Sequence, residues 1–464
     1  MAKKFYITTA IDYVNAKPHI GHAFEKVLAD AISRWKKLKG EEVYFLTGTD
    51  ENAQKNVQAA KLAGIPTKKF VDKNSKLFIE LCKKLDIDYD DFIRTTEKRH
   101  TEKSQEIFKK VYDKGEIYKG NYEGHYCYGC ESFKTEKDLV DGKCAEHDKK
   151  PEWLSEETYF FKLSKYKNKL IKFVEKYIVP KSKKNEILSR LKNENLRDLS
   201  VSRTNLEWGI DSSVDKKFKI YVWFDALINY ISGANGNWPA DVHVVGKGIN
   251  WFHSVIWPAI LISSDYKLPK TLLVHGYLNI KGKKMSKSLG NVIDPVELIE
   301  KYGSDSVRYS LFRCSVFDDS DYSEELLIKR HNDELADKLG NLVSRVSTLA
   351  EKYGIEKNKK WGIPFQIPKF EKDFEKHMNN YEFDKALNVL FSFIDILNGY
   401  VQNERPWAIH EEDFKKAVLY NLVLGVRTIT PYLEIFVPQA SKKISKTFKT
   451  DKIKKSEILF KKIK

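Results

Sequence analysis

Within its first 46 residues the chain lays down a strand, a helix and a second strand, and that order restricts the fold more than any other feature. Phe5 to Ile11 alternates and is rich in β-formers, which predicts a buried strand. A polar loop from Asp12 to Pro18 leads into a helix whose apolar residues Ala23, Val27, Ala31, Trp35 and Leu38 recur every three or four positions. Gly40 stops that helix, and Glu42 to Leu46 forms the next strand. A strand, helix and strand this close together make a βαβ unit, so the expected fold class is α/β with a Rossmann-type parallel sheet.

Helical stretches follow from Asn52 to Ala63 and from Thr101 to Lys114. The character changes near Gly115. Residues 120–150 are rich in Gly, Cys, Tyr and charge without a helical period, as in a small inserted module, and a lysine-rich helical stretch fills Leu163 to Arg190. Strand-like segments return at Lys219 to Phe224, Val242 to Val245 and Thr271 to Val274, with helical stretches at Trp223 to Ile231 and Ile249 to Ile262. The sheet therefore resumes after an insertion. From Ser323 onward the pattern is helical apart from a Pro/Trp-rich stretch at 361–369, and the lysine-rich end from Lys442 reads as a frayed tail or a basic helix end.

A length of 464 residues suggests about three domains. A hydrophobic fraction of 42% excludes a mainly disordered chain. Five cysteines cannot form a disulfide scaffold, and no signal peptide or membrane span is evident, so the expectation is a soluble, cytoplasmic protein with no membrane partner. Lys and Arg outnumber Asp and Glu by 81 to 65; the net charge of +16 suits a polyanionic partner such as nucleic acid, although a lysine-rich surface gives the same figure.

Three motifs carry chemistry. His19-Ile20-Gly21-His22 falls where loop hands over to helix, and helix N-termini present unpaired N–H groups and partial positive charge to phosphate. Gly21 admits a ligand close to the backbone, and two imidazoles on the first turn can donate to phosphoryl oxygens. Lys283-Lys284-Met285-Ser286-Lys287-Ser288-Leu289-Gly290-Asn291 is a cationic loop suited to closing on polyphosphate and stabilising a departing pyrophosphate. Alone, the first is also a capped helix and the second a solvated charge run. Cys127-Tyr-Gly-Cys130 with Cys144-Ala-Glu-His147 makes two knuckles that can hold a structural zinc through Cys127, Cys130, Cys144 and His147. His125 competes for the fourth place.

The first two motifs, in this order and flanking the sheet strands, are the signatures of class I aminoacyl-tRNA synthetases. Ala10-Ile11-Asp12-Tyr13, Tyr221-Val-Trp223-Phe-Asp-Ala226 and Trp251-Phe-His253-Ser-Val-Ile-Trp257-Pro258-Ala259 extend the match. Through them the chain resembles the methionyl-tRNA synthetase family over nearly its whole length. That resemblance implies a methionine pocket of Ala10, Ile11, Tyr13, Trp223, Ala226, Leu227, Tyr230, Ile249 and His253, with Asp50 on the amino group. A polarizable thioether suits such aromatic faces. It places ATP against His19, Gly21, His22, Glu25, Gly246, His275, Gly276, Lys284 and Lys287, with Arg203 near the substrate phosphates and Mg²⁺ bridging them. His19, His22, Lys284, Lys287 and Arg203 are the implied catalytic set. Asn341, Arg345 and Trp407 would read the anticodon of tRNA(Met).

The implied arrangement is a catalytic domain in two halves, 1–115 and 214–280, around a connective insertion with the zinc knuckle at 116–213. A loop and stem-contact region at 281–330 and an all-α, helix-bundle anticodon-binding domain at 331–464 follow, in a monomeric ligase. Two positions depart from the family: Gly248 stands where an acidic residue is usual, and Leu227 where proline is frequent. Gly248 keeps an impaired tRNA-binding paralogue open as an alternative, beside a class I synthetase for another amino acid. The short insertion lacks the bulk of an editing domain, which counts against Ile, Leu and Val enzymes.

Overall fold

The computed structural model describes residues 3–130, 132–134, 136–145, 148–204, 206–284, 292–357 and 362–464. They divide into two compact units. The first comprises Met1–Pro18, Glu41–Cys82 and Asp88–His275; the second comprises His19–Gly40, Lys83–Ile87 and Gly276–Lys464.

A parallel sheet forms the centre of the first unit, seven-stranded among the described residues. β1 (Lys4–Thr9) lies between β2 (Glu42–Asp50) and Val242–Gly246, and β2 pairs on its far side with β3 (Asp91–Arg94). The strand Thr271–His275 pairs with Val242–Gly246, the two-residue strand Ile178–Val179 closes that edge, and the two-residue strand Asp12–Tyr13 pairs with the end of β2. The chain leaves β1 for β2 on one side, while Val242–Gly246 arrives on the other. The carboxyl ends beside β1 are therefore a switch point, where α/β sheets bind ligands. Ile7, Phe45, Val244 and Leu273 are fully buried, as strands of a parallel sheet covered on both faces require.

Helices α2 (Gln54–Leu62), α3 (Thr67–Lys84) and α4 (Lys98–Asp113) connect the first strands. The inserted module is a long antiparallel ribbon of β4 (Ile117–Cys127) and β6 (Glu152–Phe161), in register from Ile117↔Phe161 to Tyr126↔Glu152, with β5 (Ser132–Lys134) beside β4. The helical stretch expected over Leu163 to Arg190 holds two helices, α5 (Lys167–Tyr177) and α6 (Lys181–Asn193), parted where Ile178–Val179 joins the sheet edge and Pro180 follows. The strand expected over Lys219 to Phe224 spans only Lys219–Ile220; Val222 already begins α7 (Val222–Leu227), all six of whose residues are buried. Burial overrides the β-preference of Tyr, Val, Trp and Phe there. The returning strands are β7 (Val242–Gly246) and β8 (Thr271–His275), separated by a π-turn at Phe252–Ile256 and α8 (Trp257–Ser263).

In the second unit a short hairpin, β9 (Leu278–Ile280) and β10 (Lys283–Lys284), precedes a run of helices: α9 (Pro295–Tyr302), α10 (Ser304–Phe312), α11 (Glu324–Arg330), α12 (Asn341–Tyr353), α13 (Ile367–Asn379), α14 (Phe383–Glu404), α15 (Glu412–Phe436) and α16 (Pro438–Thr447). The helix Ile20–Leu38, which carries the His-Ile-Gly-His turn, belongs to this unit. Its Trp35 ring packs 5.8 Å from Phe374 and donates to Asn379 Oδ1 at 3.1 Å. Asp30 accepts from Arg308 at 2.6 Å, both side chains fully buried, and Arg308 also donates to the carbonyls of Leu85, Ile435 and Phe436. Burial pulls the Arg308 guanidinium below its ordinary pKa, and Asp30 pulls it back. Asp30→Ala leaves that cation without the carboxylate it donates to, and is expected to lower stability by about 3–5 kcal/mol in urea melts. Residues 448–464 are neither frayed nor helical: Asn332 exchanges two hydrogen bonds with Ile463, and His331 Nε2 meets the Lys461 carbonyl at 2.8 Å.

Candidate functional site

The implied methionine residues line one cavity in the first unit: Ala10, Ile11, Tyr13, Asp50, Trp223, Ala226, Leu227, Tyr230, Ile249 and His253, joined by Asn229. Sheet topology assembles it. Ala10 and Ile11 follow β1, Asp50 ends β2 and Ile249 follows β7, so the cavity sits over the carboxyl ends of three neighbouring strands. The Trp223 ring stacks on Phe252 at 3.7 Å and meets Tyr13 edge-on at 6.2 Å. His253 Nδ1 faces the Ile249 carbonyl at 3.0 Å, so Nδ1 carries the proton; Nε2 then accepts from Tyr230 Oη at 2.7 Å. Asp50 is the carboxylate of the cavity, 3% exposed, and accepts the Asn52 amide through Oδ1. Asn229 and Phe252 were not singled out from sequence. Asn229 lies three residues beyond Ala226, a helical spacing that gave the available signal.

In the second unit, the His19 and His22 rings lie 3.8 Å apart. His19 Nδ1 accepts the Gly21 amide at 3.1 Å, and His22 Nδ1 accepts the His19 amide at 3.0 Å, a reciprocal cap on the helix start. With both Nδ1 lone pairs used, the neutral rings carry their protons on Nε2. Lys281 and Gly282, both at positive φ, make the tight turn between β9 and β10. Lys284 ends β10; Lys287 and the rest of 285–291 lie outside the described residues. Beyond them the Ile293 carbonyl accepts the Ile20 amide at 3.0 Å, which ties the chain leaving the lysine-rich segment to the first turn of the His-Ile-Gly-His helix.

Gly246 and His275 are register partners at the ends of β7 and β8. Gly248 follows in the single turn Lys247–Ile249, where it offers no carboxylate. Gly276 has a packing reason of its own: a Cβ there would stand 2.3 Å from the Asp318 carbonyl oxygen. Glu25 is 7% exposed, with Oε1 3.6 Å from Lys26 Nζ. Arg203 is buried in the first unit, donating to Ser200 Oγ and the Ser202 carbonyl at 2.7 Å, 3.5 Å from Glu156, with the Tyr126, Phe133 and Tyr221 rings around its guanidinium. It does not line the cavity.

Cys127, Cys130 and Cys144 bring their sulfurs within 4.8 Å of one another, and Cys130 and Cys144 are 3.5 Å apart. A tetrahedral zinc with Zn–S near 2.3 Å needs sulfurs about 3.8 Å apart, so the three fit a metal. With protons in place, the hydrogen bond to Cys127 and burial push the Cys130 thiol far up; a dication removes that conflict. His147 lies outside the described residues, while His125 packs edge-on against Trp153 at 5.0 Å. The knuckle also reaches the cavity wall. Trp223 Nε1 donates to the Cys130 carbonyl at 3.2 Å, and Lys55, whose Nζ lies 3.3 Å over the Tyr13 ring, donates to the Gly129 carbonyl.

On the helical side Arg345 lies 6.0 Å from the Trp407 ring and donates to Gln402 Oε1 at 3.2 Å. Trp407 is 46% exposed. Asn341, one turn earlier on α12, donates to the Asp337 carbonyl. Among the described residues no helix is long and apolar enough to cross a membrane.

A parallel sheet interrupted by a thiol-bearing insertion, with a helix opening on His-Ile-Gly-His, defines a class I tRNA synthetase. The family model described as tRNA synthetases class I (M) matches residues 5–147 and 134–347, and that of the anticodon binding domain of methionyl tRNA ligase matches 365–463. The chain belongs to the methionine–tRNA ligase family. It is 42% identical over 482 residues to a methionine–tRNA ligase of Clostridium tetani, covering 97% of this chain and 74% of the relative. Identity to that of Rickettsia bellii is 41% over 475 residues, covering 96% and 92%. Methionyl-tRNA synthetase of Mycobacterium tuberculosis in complex with methionyl-adenylate superposes with a TM-score of 0.91 at 35% identity, covering 96% of this chain and 94% of that one.

Proposed function

We infer that the chain catalyses the ATP-dependent attachment of L-methionine to tRNA(Met) through a methionyl-adenylate, with release of AMP and pyrophosphate. The observation that carries this reading is the aromatic cavity with its carboxylate, Asp50, at the sheet's switch point, in a chain of this family. An unbranched thioether fills the aromatic end, and Asp50 receives the α-ammonium. The methionine carboxylate attacks the α-phosphorus itself, so the protein's task is alignment and charge stabilisation. His19 and His22 donate from Nε2 to the reacting phosphoryl group. Lys284 and Lys287 neutralise the departing pyrophosphate, whose Mg²⁺ arrives with ATP. Gly21, Glu25, Gly246, His275 and Gly276 border the nucleotide. Arg203 acts from the base of the insertion, and its burial favours a role in shaping the site.

Residues 1–115 and 214–280 are assigned as the catalytic halves, 116–213 as the insertion, 281–330 as the loop and stem-contact region and 331–464 as the anticodon-binding part. Asn341, Arg345 and Trp407 read the anticodon by stacking and edge hydrogen bonds. These substrates belong to cytoplasmic translation, where we place the enzyme.

Pyrophosphate exchange with single amino acids tests the reading. Exchange with methionine alone, followed by charging of tRNA(Met), is expected. Exchange with a different amino acid, or none with any, overturns it; Gly248 makes the second result worth the measurement.

Cys127, Cys130 and Cys144, with His147 or His125 as fourth ligand, hold one structural zinc per chain, since a closed ligand set leaves no open position. Metal analysis of the purified protein is expected to give one zinc per chain, lost in Cys144→Ser. Because Trp223 is hydrogen-bonded to the Cys130 carbonyl, the stripped protein should also show a raised KM for methionine. Zinc loss with an unchanged KM would separate the knuckle from the pocket.

A further inference from the structure

Behind the methionine cavity lies a polar cluster whose members His100, Asn52 and Asp225 do not themselves line it. The Asp225 carboxylate on α7 is fully buried, and both its oxygens are engaged: Oδ1 by His100 Nε2 at 2.8 Å and Oδ2 by Asn52 Nδ2 at 3.0 Å. A carboxylate in such surroundings holds its place only when its lone pairs are met. His100, fully buried on α4, is anchored in turn by Ser232 Oγ at 2.8 Å from Nδ1. Asn52 also donates to the Thr95 carbonyl at 3.2 Å. Three separate elements meet on this one carboxylate.

The two ends of the cluster both finish at the cavity. Asn52 donates its backbone amide to Asp50 Oδ1 at 3.2 Å, so the residue that holds Asp225 also orients the carboxylate of the pocket. Asp225 stands on the same short helix as Trp223, Ala226 and Leu227, all of which line the cavity. A helix of six residues has little rigidity of its own and takes its position from what pins it.

We propose that His100 and Asn52 are positioning residues for methionine selection, acting through the Asp225 carboxylate to fix Asp50 on one side and Trp223 and Ala226 on the other. The proposal rests on the assignment of the cavity to methionine. Neither residue touches substrate; each sets the geometry of groups that do, and misplacements of about 1 Å in such groups cost up to a hundredfold.

The test is pyrophosphate exchange with methionine and ATP varied separately in His100→Leu, His100→Gln, Asn52→Ala and Asp50→Asn. His100→Leu removes the donor to Asp225. Its KM for methionine should rise about tenfold while KM for ATP stays within about twofold. His100→Gln presents an amide N–H close to the former Nε2 and should recover most of that loss. Asn52→Ala, which leaves His100 in place, should raise the methionine KM in the same sense and serves if His100→Leu does not fold. A folded His100→Leu or Asn52→Ala enzyme with an unchanged methionine KM overturns the proposal. So does an equal rise in both KM values, or failure of His100→Gln to rescue. Asp50→Asn separates the two levels. If it leaves methionine KM unchanged, the cavity assignment fails; if it raises KM and the His100 and Asn52 variants do not, only the positioning role fails.

Discussion

His22→Asn is expected to slow methionine-dependent pyrophosphate exchange about a hundredfold, with little change in KM for methionine or in melting temperature. The expectation follows from how the ring is held. Its Nδ1 accepts the His19 amide, which fixes the neutral ring's proton on Nε2. Asparagine can keep an acceptor near Nδ1, so the helix cap survives, but it has no group at the position of Nε2. The substitution therefore separates capping from catalysis. His22→Ala loses both, and should add a stability penalty of about 1 kcal/mol. A rate unchanged in His22→Asn would limit the imidazole to capping. Methionine affinity is a control, because a donor used only as charge develops on phosphorus leaves ground-state binding of the amino acid alone.

The second large effect lies in the helical unit. Trp407→Ala should lower kcat/KM for tRNA(Met) charging about tenfold to a hundredfold while pyrophosphate exchange stays at its wild-type rate. Trp407 is a large aromatic ring left 46% exposed, with the Arg345 guanidinium 6.0 Å from its centre and that arginine hydrogen-bonded to Gln402. Exposed rings flanked by planar cations are platforms for unstacked bases. Arg345→Ala should act in the same direction, and the double variant should lose less than the sum of the two, since both share one surface. Equal losses in exchange and charging would instead indicate a general folding defect.

The residues proposed for methionine follow from the resemblance to the methionyl-tRNA synthetase family, which short local motifs carry, and not from their own periodicity or spacing. The ten residues implied for methionine come from four separate segments, and the sheet gathers them at one place because β1, β2 and β7 end side by side. Asn229, which lines the cavity, and Phe252, which stacks behind Trp223, carry no local mark, because polarity and aromaticity alone do not distinguish such positions from core. The cluster of His100, Asp225 and Asn52 was invisible for a different reason: its partners are 125 and 173 residues apart, and nothing local marks them. The helix–strand boundary at residue 221 was misplaced because Tyr-Val-Trp-Phe has strand-like preferences, which burial overrode. No helix was expected over α3, and the irregular segment 448–464 is held by bonds to Asn332 and His331 that no periodicity encodes.

The helix that begins at His19 bears on how this enzyme can be divided. Trp35 is 3% exposed because Phe374 covers it, and the Arg308 bonded to Asp30 is itself held by carbonyls at the end of α15. An N-terminal fragment cut at residue 330 would bare an indole and part with half of Arg308's acceptors, and it would do so on the very segment that bears the two imidazoles. Tailoring a minimal adenylating core from this scaffold means resurfacing that segment first, because simple truncation discards its packing along with the RNA-reading helices.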